Sequence, residues 1–95
     1  MILVRVTFQA QFGKAGEIVE LLKQEPPQDV RGRVLTDLSG TFDTVVLETV
    51  VESIDEYFRQ LQEMFAKAEM SEAMRQAYTL IASGTREFYT IEAET

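Results

Sequence analysis

Residues 35–48 read LTDLSGTFDTVVLE, and how this stretch is understood decides the fold. Asp37, Asp43 and the Ser39-Gly40 pair stand just ahead of a β-branched run. Such a segment is either a phosphate cradle or the turn of a hairpin. A cradle wants further glycines, a helix N-terminus directly behind them and a nearby lysine. Here the segment leads into TVVLETVV (44–51), a strand pattern. Ser39 and Gly40 are turn formers, and Asp43 can bond the local backbone. The stretch therefore reads as a hairpin, with SGTFD joining a strand over 33–38 to a strand over 44–51.

Upstream, ILVRVTFQ (2–9) alternates: Ile2, Val4, Val6 and Phe8 on one face, Leu3, Arg5, Thr7 and Gln9 on the other. A period of two over eight residues is a strand signal. QFGKAG follows, with Gly13 and Gly16 giving turn freedom before a helix over 17–24. Ile18, Leu21 and Leu22 share a face of that helix, and Pro26 and Pro27 stop it. Downstream, Ser53-Ile54-Asp55-Glu56 is a capping-box pattern. Ile54, Tyr57, Phe58, Leu61, Met64, Phe65 and Ala68 then recur at helical spacing. A second helical piece over 71–82 ends at Ser83-Gly84, and the last strand covers 85–93.

The order is β-α-β-β-α-β, the ferredoxin-like pattern of an α+β domain, with its second helical region split in two. Right-handed crossovers predict a four-stranded antiparallel sheet in the order 4-1-3-2, helices on one face. No repeat or linker interrupts it, so residues 1–95 form one domain. Ninety-five residues bury only about 60–65% of the unfolded chain's surface, a thin core that a partner chain would supplement.

Composition removes most familiar catalysts. Cysteine, histidine, tryptophan and asparagine are absent. Disulfides, thiolate catalysis, serine–histidine dyads and imidazole ligands go with them. The residues imply no cofactor. Asp37, Asp43, Glu48 and Glu52 lie close in sequence, but alternating strand faces keep them from converging on a metal. A net charge of −7 disfavours nucleic acid and anionic membranes alike. No apolar run approaches the ~20 residues of a membrane span, and MILVRVTFQ lacks a cleavage site. A cytoplasmic location is the default expectation.

Helices on one side leave the other side of the sheet for assembly or function. If Thr36 pairs with Val46, then Val34, Thr36, Leu38, Val46, Glu48 and Val50 share that open side with Leu3, Arg5 and Thr7. Such an apolar patch marks an interface. Leu3, Val34, Leu38, Val46 and Val50 are the candidate contacts of a homodimeric barrel. Arg5 and Glu48, on neighbouring strands, can meet inside it as a register-setting ion pair or as an anchor for a ligand. Strand four leaves open whether Tyr89 and Ile91 or Phe88 and Thr90 point outward. The candidate ligand-binding residues are Arg5, Thr7, Thr36, Glu48, Tyr57, Tyr78 and Tyr89, for a small apolar or aromatic molecule. Met64, Met70 and Met74 could line the same pocket, although ordinary core packing also suits that spacing.

Two stretches, VRVTFQAQFGKAGEIVELLKQ and RVLTDLSGTFDTVVLETVVESIDEYFRQL, together with this element order, carry a family likeness. The chain resembles the dimeric α/β-barrel superfamily, and within it the small antibiotic-biosynthesis-monooxygenase-like and NIPSNAP-like proteins. The resemblance implies homodimers whose sheets form a barrel, often with a pocket between sheet and helices. Some members oxidise aromatic substrates with oxygen and no cofactor, and others degrade haem. Their usual catalytic asparagine, tryptophan and histidine have no counterparts here, so no catalytic residue carries over. Three functional expectations stand: a dimer of undetermined activity binding a small apolar or aromatic molecule, a cofactor-independent monooxygenase acting on quinol-like substrates, and an ACT-like amino-acid-binding module. An RNA-recognition module fails, because TVVLETVV offers neither aromatic nor basic side chains.

Overall fold

The computed structural model describes residues 1–24, 31–66 and 72–94. In chain order they form β1 (Ile2–Ala10), α1 (Ala15–Gln24), β2 (Arg31–Thr36), β3 (Thr44–Val51), α2 (Ile54–Ala66), α3 (Glu72–Thr79) and β4 (Ile81–Thr90). The strands make one antiparallel sheet in the order β2-β3-β1-β4, the 4-1-3-2 arrangement expected of a ferredoxin-like domain. The second helical region is split into α2 and α3. Pro26, Pro27 and Met70 lie outside the described residues, as do the side chains of Met64 and Met74.

Register decides which side chains face the helices. Ile2, Val4, Val6 and Phe8 stand opposite Val51, Thr49, Leu47 and Val45 of β3. Directly opposed residues in a sheet share a face. Val45 clusters with Ala10 and with Ile18 of α1, and Phe8, Val19, Leu22 and Ile81 pack around them. The even-numbered side of β1 is therefore the helix side, as its alternation predicts. The serine cap of α2 also forms: Ser53 Oγ accepts the Glu56 N–H at 3.1 Å. Only half of the capping box is made, because the Glu56 carboxylate turns to Arg59 and Gln60.

The hairpin is present, but its register is one residue away from the expected one. Thr36 pairs with Val45, and Leu35 with Val46. The turn closes earlier than SGTFD: the Asp37 N–H donates to the Thr44 carbonyl at 3.3 Å, and the Thr44 N–H donates to the Asp37 carboxylate at 3.0 Å. Asp37 and Leu38 thus leave the strand. Asp43 adopts φ 58° and Gly40 φ 92°, which turns the chain back. Asp43 does not bond its own turn. Its carboxylate accepts the N–H groups of Gly13 at 2.9 Å and Ala15 at 3.4 Å, pinning the hairpin to the start of α1.

Two glycines just outside the expected strands over 33–38 and 85–93 lie within strands. Gly84 was expected to end a helix reaching residue 82. Instead α3 stops at Thr79, where the Leu80 N–H bonds the Ala77 carbonyl at 3.1 Å, and β4 starts at Ile81. Gly84 pairs with Phe8, and a Cβ there would lie 3.2 Å from the Phe8 ring. Close approach, not helix termination, is its role. Gly32, one residue ahead of the strand expected over 33–38, lies inside β2, where an added Cβ would sit 2.8 Å from the Glu48 carbonyl oxygen. Gly32→Ala is expected to force β2 off β3 and cost about 1–3 kcal/mol, read as a lower urea midpoint with unchanged slope.

Candidate functional site

The open face of the sheet carries a row of alternating charge. Arg33, Glu48, Arg5 and Glu87 stand opposite one another across β2, β3, β1 and β4. The Glu48 Oε2 accepts from Arg5 Nε at 2.9 Å, and its Oε1 accepts from Arg33 Nε at 2.6 Å. Glu48 is only 4% exposed although it lies on the uncovered side, because the two arginine side chains lie over it. The Arg5 guanidinium carbon also lies 5.2 Å from the centre of the Tyr89 ring, and the Tyr89 hydroxyl donates to Glu87. Apolar residues flank the charges: Leu3 opposite Val50 on one side, Val46 opposite Leu35 on the other.

Hydrogen bonding sets the protonation of this row. Arg33 holds the Glu48 carboxyl below its ordinary value of 4.5, with Arg5 acting in the same direction and burial opposing both. The Glu87 carboxylate pushes the Tyr89 phenol above its ordinary value. Between its folded and unfolded pKa values, Glu48 binds fewer protons in the folded chain. Its contribution to stability is therefore complete above the unfolded value of 4.5 and is lost as pH falls through the folded one. Urea unfolding on either side of that pH is expected to show a steeper loss for the native chain than for Glu48→Gln.

On the helix side, a second group forms where α2 meets β4. The rings of Tyr57 and Phe88 meet edge to face at 5.7 Å, and Phe58 lies 5.4 Å from Tyr57 and 5.9 Å from Phe88. Arg86 extends from β4 toward these rings, 5.5 Å from Tyr57 and 5.9 Å from Phe58. Burial pushes the Tyr78 phenol up, the nearby Tyr57 adds to this, and Arg86 opposes it.

The residues expected to share one pocket are therefore divided by the sheet. Arg5, Thr7, Glu48 and Tyr89 lie on the open face, which resolves strand four with Tyr89 outward. Tyr57 and Tyr78 lie on the helix side. Thr36 also faces the helix side, but on β2, the edge opposite β4. Of the expected interface residues, Leu3, Val46 and Val50 are on the open face. The register carries Val34 to the helix side, and Leu38 sits fully exposed in the hairpin turn. A one-residue shift in pairing inverts every side chain of a strand, which explains the exchange of Val34 and Thr36 for Arg33 and Leu35.

Arg33, Glu87, Arg86 and Phe88 were not anticipated. Alternation in TREFYT (85–90) would have put Arg86 and Phe88 on one face, so that signal was present. Arg33 required the true register. Two surface clefts, of about 520 Å3 between α1 and α3 and about 310 Å3 beside Phe12 and Phe42, contain none of the anticipated residues. Among the described residues no three carboxylates converge, and no helix is long and apolar enough to cross a membrane.

No protein-family model matches the chain, and no curated protein matches it by sequence. Solved structures do resemble it. An uncharacterized NIPSNAP domain protein from Burkholderia xenovorans superposes with a TM-score of 0.82 at 19% identity, over 95% of this chain and 93% of that one. A dimeric ferredoxin-like protein from an uncultured marine organism gives 0.74 at 10% identity, over 99% and 90%. A candidate antibiotic biosynthesis monooxygenase from Chloroflexus aurantiacus gives 0.67 at 12% identity, over 100% and 97%. At these identities the likeness is one of fold: the chain has the ferredoxin-like architecture common to NIPSNAP-type and antibiotic-biosynthesis-monooxygenase-type structures.

Proposed function

We propose that this protein is a homodimeric barrel that binds a small apolar or aromatic molecule on the helix side of its sheet. The binding reading is carried by the aromatic group of α2 and β4. Tyr57, Phe58 and Phe88 form a contiguous apolar surface, yet Phe58 and Tyr78 each remain 39% exposed. Ring surface left uncovered beside an aromatic cluster is what a flat apolar ligand needs. The dimer reading is supported by the open face, where Leu3, Leu35, Val46 and Val50 flank the charged row. That row alternates in sign, so a second copy turned about a two-fold axis can set its arginines against the first copy's exposed Glu87.

Titration with phenylacetamide and indole, followed through the ring resonances of Tyr57, Phe58 and Phe88, tests the binding reading. Saturable shifts confined to these rings are expected. Unmoved resonances up to the solubility limit of both compounds would remove it. The oxygenase alternative gains little from the tyrosines. The phenols of Tyr78 and Tyr89 are both pushed up, so neither is poised as a phenolate base at neutral pH.

A further inference from the structure

The helix side of β4 carries a positive charge that nothing else described in the molecule answers. Arg86 stands opposite Val6 and so shares the face of Val4 and Phe8, the side that packs on the helices. Arg5 and Arg33 meet Glu48, and Arg59 meets Glu56 and Glu63. Among the described residues, the Arg86 guanidinium forms no ion pair and no hydrogen bond, while its backbone belongs to the β1–β4 ladder. Its contacts are the faces of Tyr57 and Phe58. In a chain with 16 acidic and 9 basic residues, a carboxylate partner could have been supplied easily.

Cation–π contact restrains a guanidinium without consuming its N–H groups. Arg86 is thus held in place by rings while its donors stay available. Beside it lies the uncovered ring surface of Phe58 and Tyr78. A planar fork of donors next to an aromatic shelf matches one ligand chemistry: a carboxylate joined to an apolar or aromatic body.

We propose that this arrangement is a site for a small organic acid, its carboxylate taken by Arg86 and its body lying on Tyr57, Phe58 and Phe88. The inference rests on the aromatic group being a binding site, as argued above, and adds the charge of the ligand. The phenol of Tyr78, pushed further up from its ordinary value by burial, is an O–H donor on the same side.

Phenylacetate and its neutral isostere phenylacetamide, titrated into the full chain by calorimetry and ring NMR, distinguish the two claims. Phenylacetate is expected to bind at least about tenfold more tightly than the amide, the usual worth of a charge-assisted hydrogen-bonded contact. Arg86→Gln should bring the acid down to the affinity of the amide. Arg86→Lys, which keeps the charge but loses the planar fork, should retain part of the preference. Arg59→Gln, at an exposed position of α2, should leave both affinities unchanged. Equal affinities for acid and amide in the native chain, or acid binding undiminished in both Arg86 variants, overturn the organic-acid site and leave the neutral-ligand reading standing. Ring resonances unmoved by either compound remove both.

Discussion

Val46→Asp is expected to convert the proposed dimer to a monomer while leaving the subunit folded. Val46 lies on the open face between Thr7 of β1 and Leu35 of β2, and is half-buried in the single subunit. In one subunit the new carboxylate would reach water. Covered by a second copy, it would be desolvated within an apolar row whose nearest arginines already serve Glu48. Leaving a charge buried and unpaired costs about 3–5 kcal/mol, or roughly a hundredfold to several thousandfold in dissociation constant. Sedimentation velocity at micromolar concentration would show the shift, with far-UV circular dichroism reporting the intact fold. A native chain that sediments as a lone subunit, or a Val46→Asp variant that stays dimeric, contradicts the proposed assembly.

Glu48→Ala is expected to have the largest effect on stability of any single change to the open face. Removing the carboxylate leaves Arg5 and Arg33 directed at an empty, buried position from either side. Breaking a buried pair by deleting one partner costs about 3–5 kcal/mol, and because both arginines retain some solvent contact a loss of about 2–3 kcal/mol is reasonable here. Glu48→Gln, which keeps the volume and one acceptor, should lose less. A double substitution of Arg5 and Glu48 by leucine and methionine should recover much of the loss, since well-packed apolar replacements of buried ion pairs are often neutral or better. Chemical unfolding of the three variants would order them. A Glu48→Ala variant as stable as the native chain would mean that the charged row contributes nothing.

Local physics was legible in the chain and long-range geometry was not. The alternation of ILVRVTFQ set the two faces of β1, and Ser53 announced the start of α2, because strand parity and helix capping act over two to four residues. The existence of the hairpin could be read for the same reason. Its register could not. Asp37 rather than Asp43 closes the turn on Thr44, because Asp43 is drawn away to the N–H groups of Gly13 and Ala15, 30 and 28 residues distant in the chain. That competition moved the pairing by one residue and brought Arg33 to Glu48 in place of Val34.

Amino-acid order alone determined the element types, their succession and hence the topology, since each depends on neighbours along the chain and on the handedness of connections. Tertiary structure alone decided which charges meet, that Gly32 and Gly84 lie within strands, and that the candidate residues fall on opposite sides of the sheet. These outcomes depend on contacts between segments far apart in sequence, where a single backbone hydrogen bond selects the register and the register selects the face.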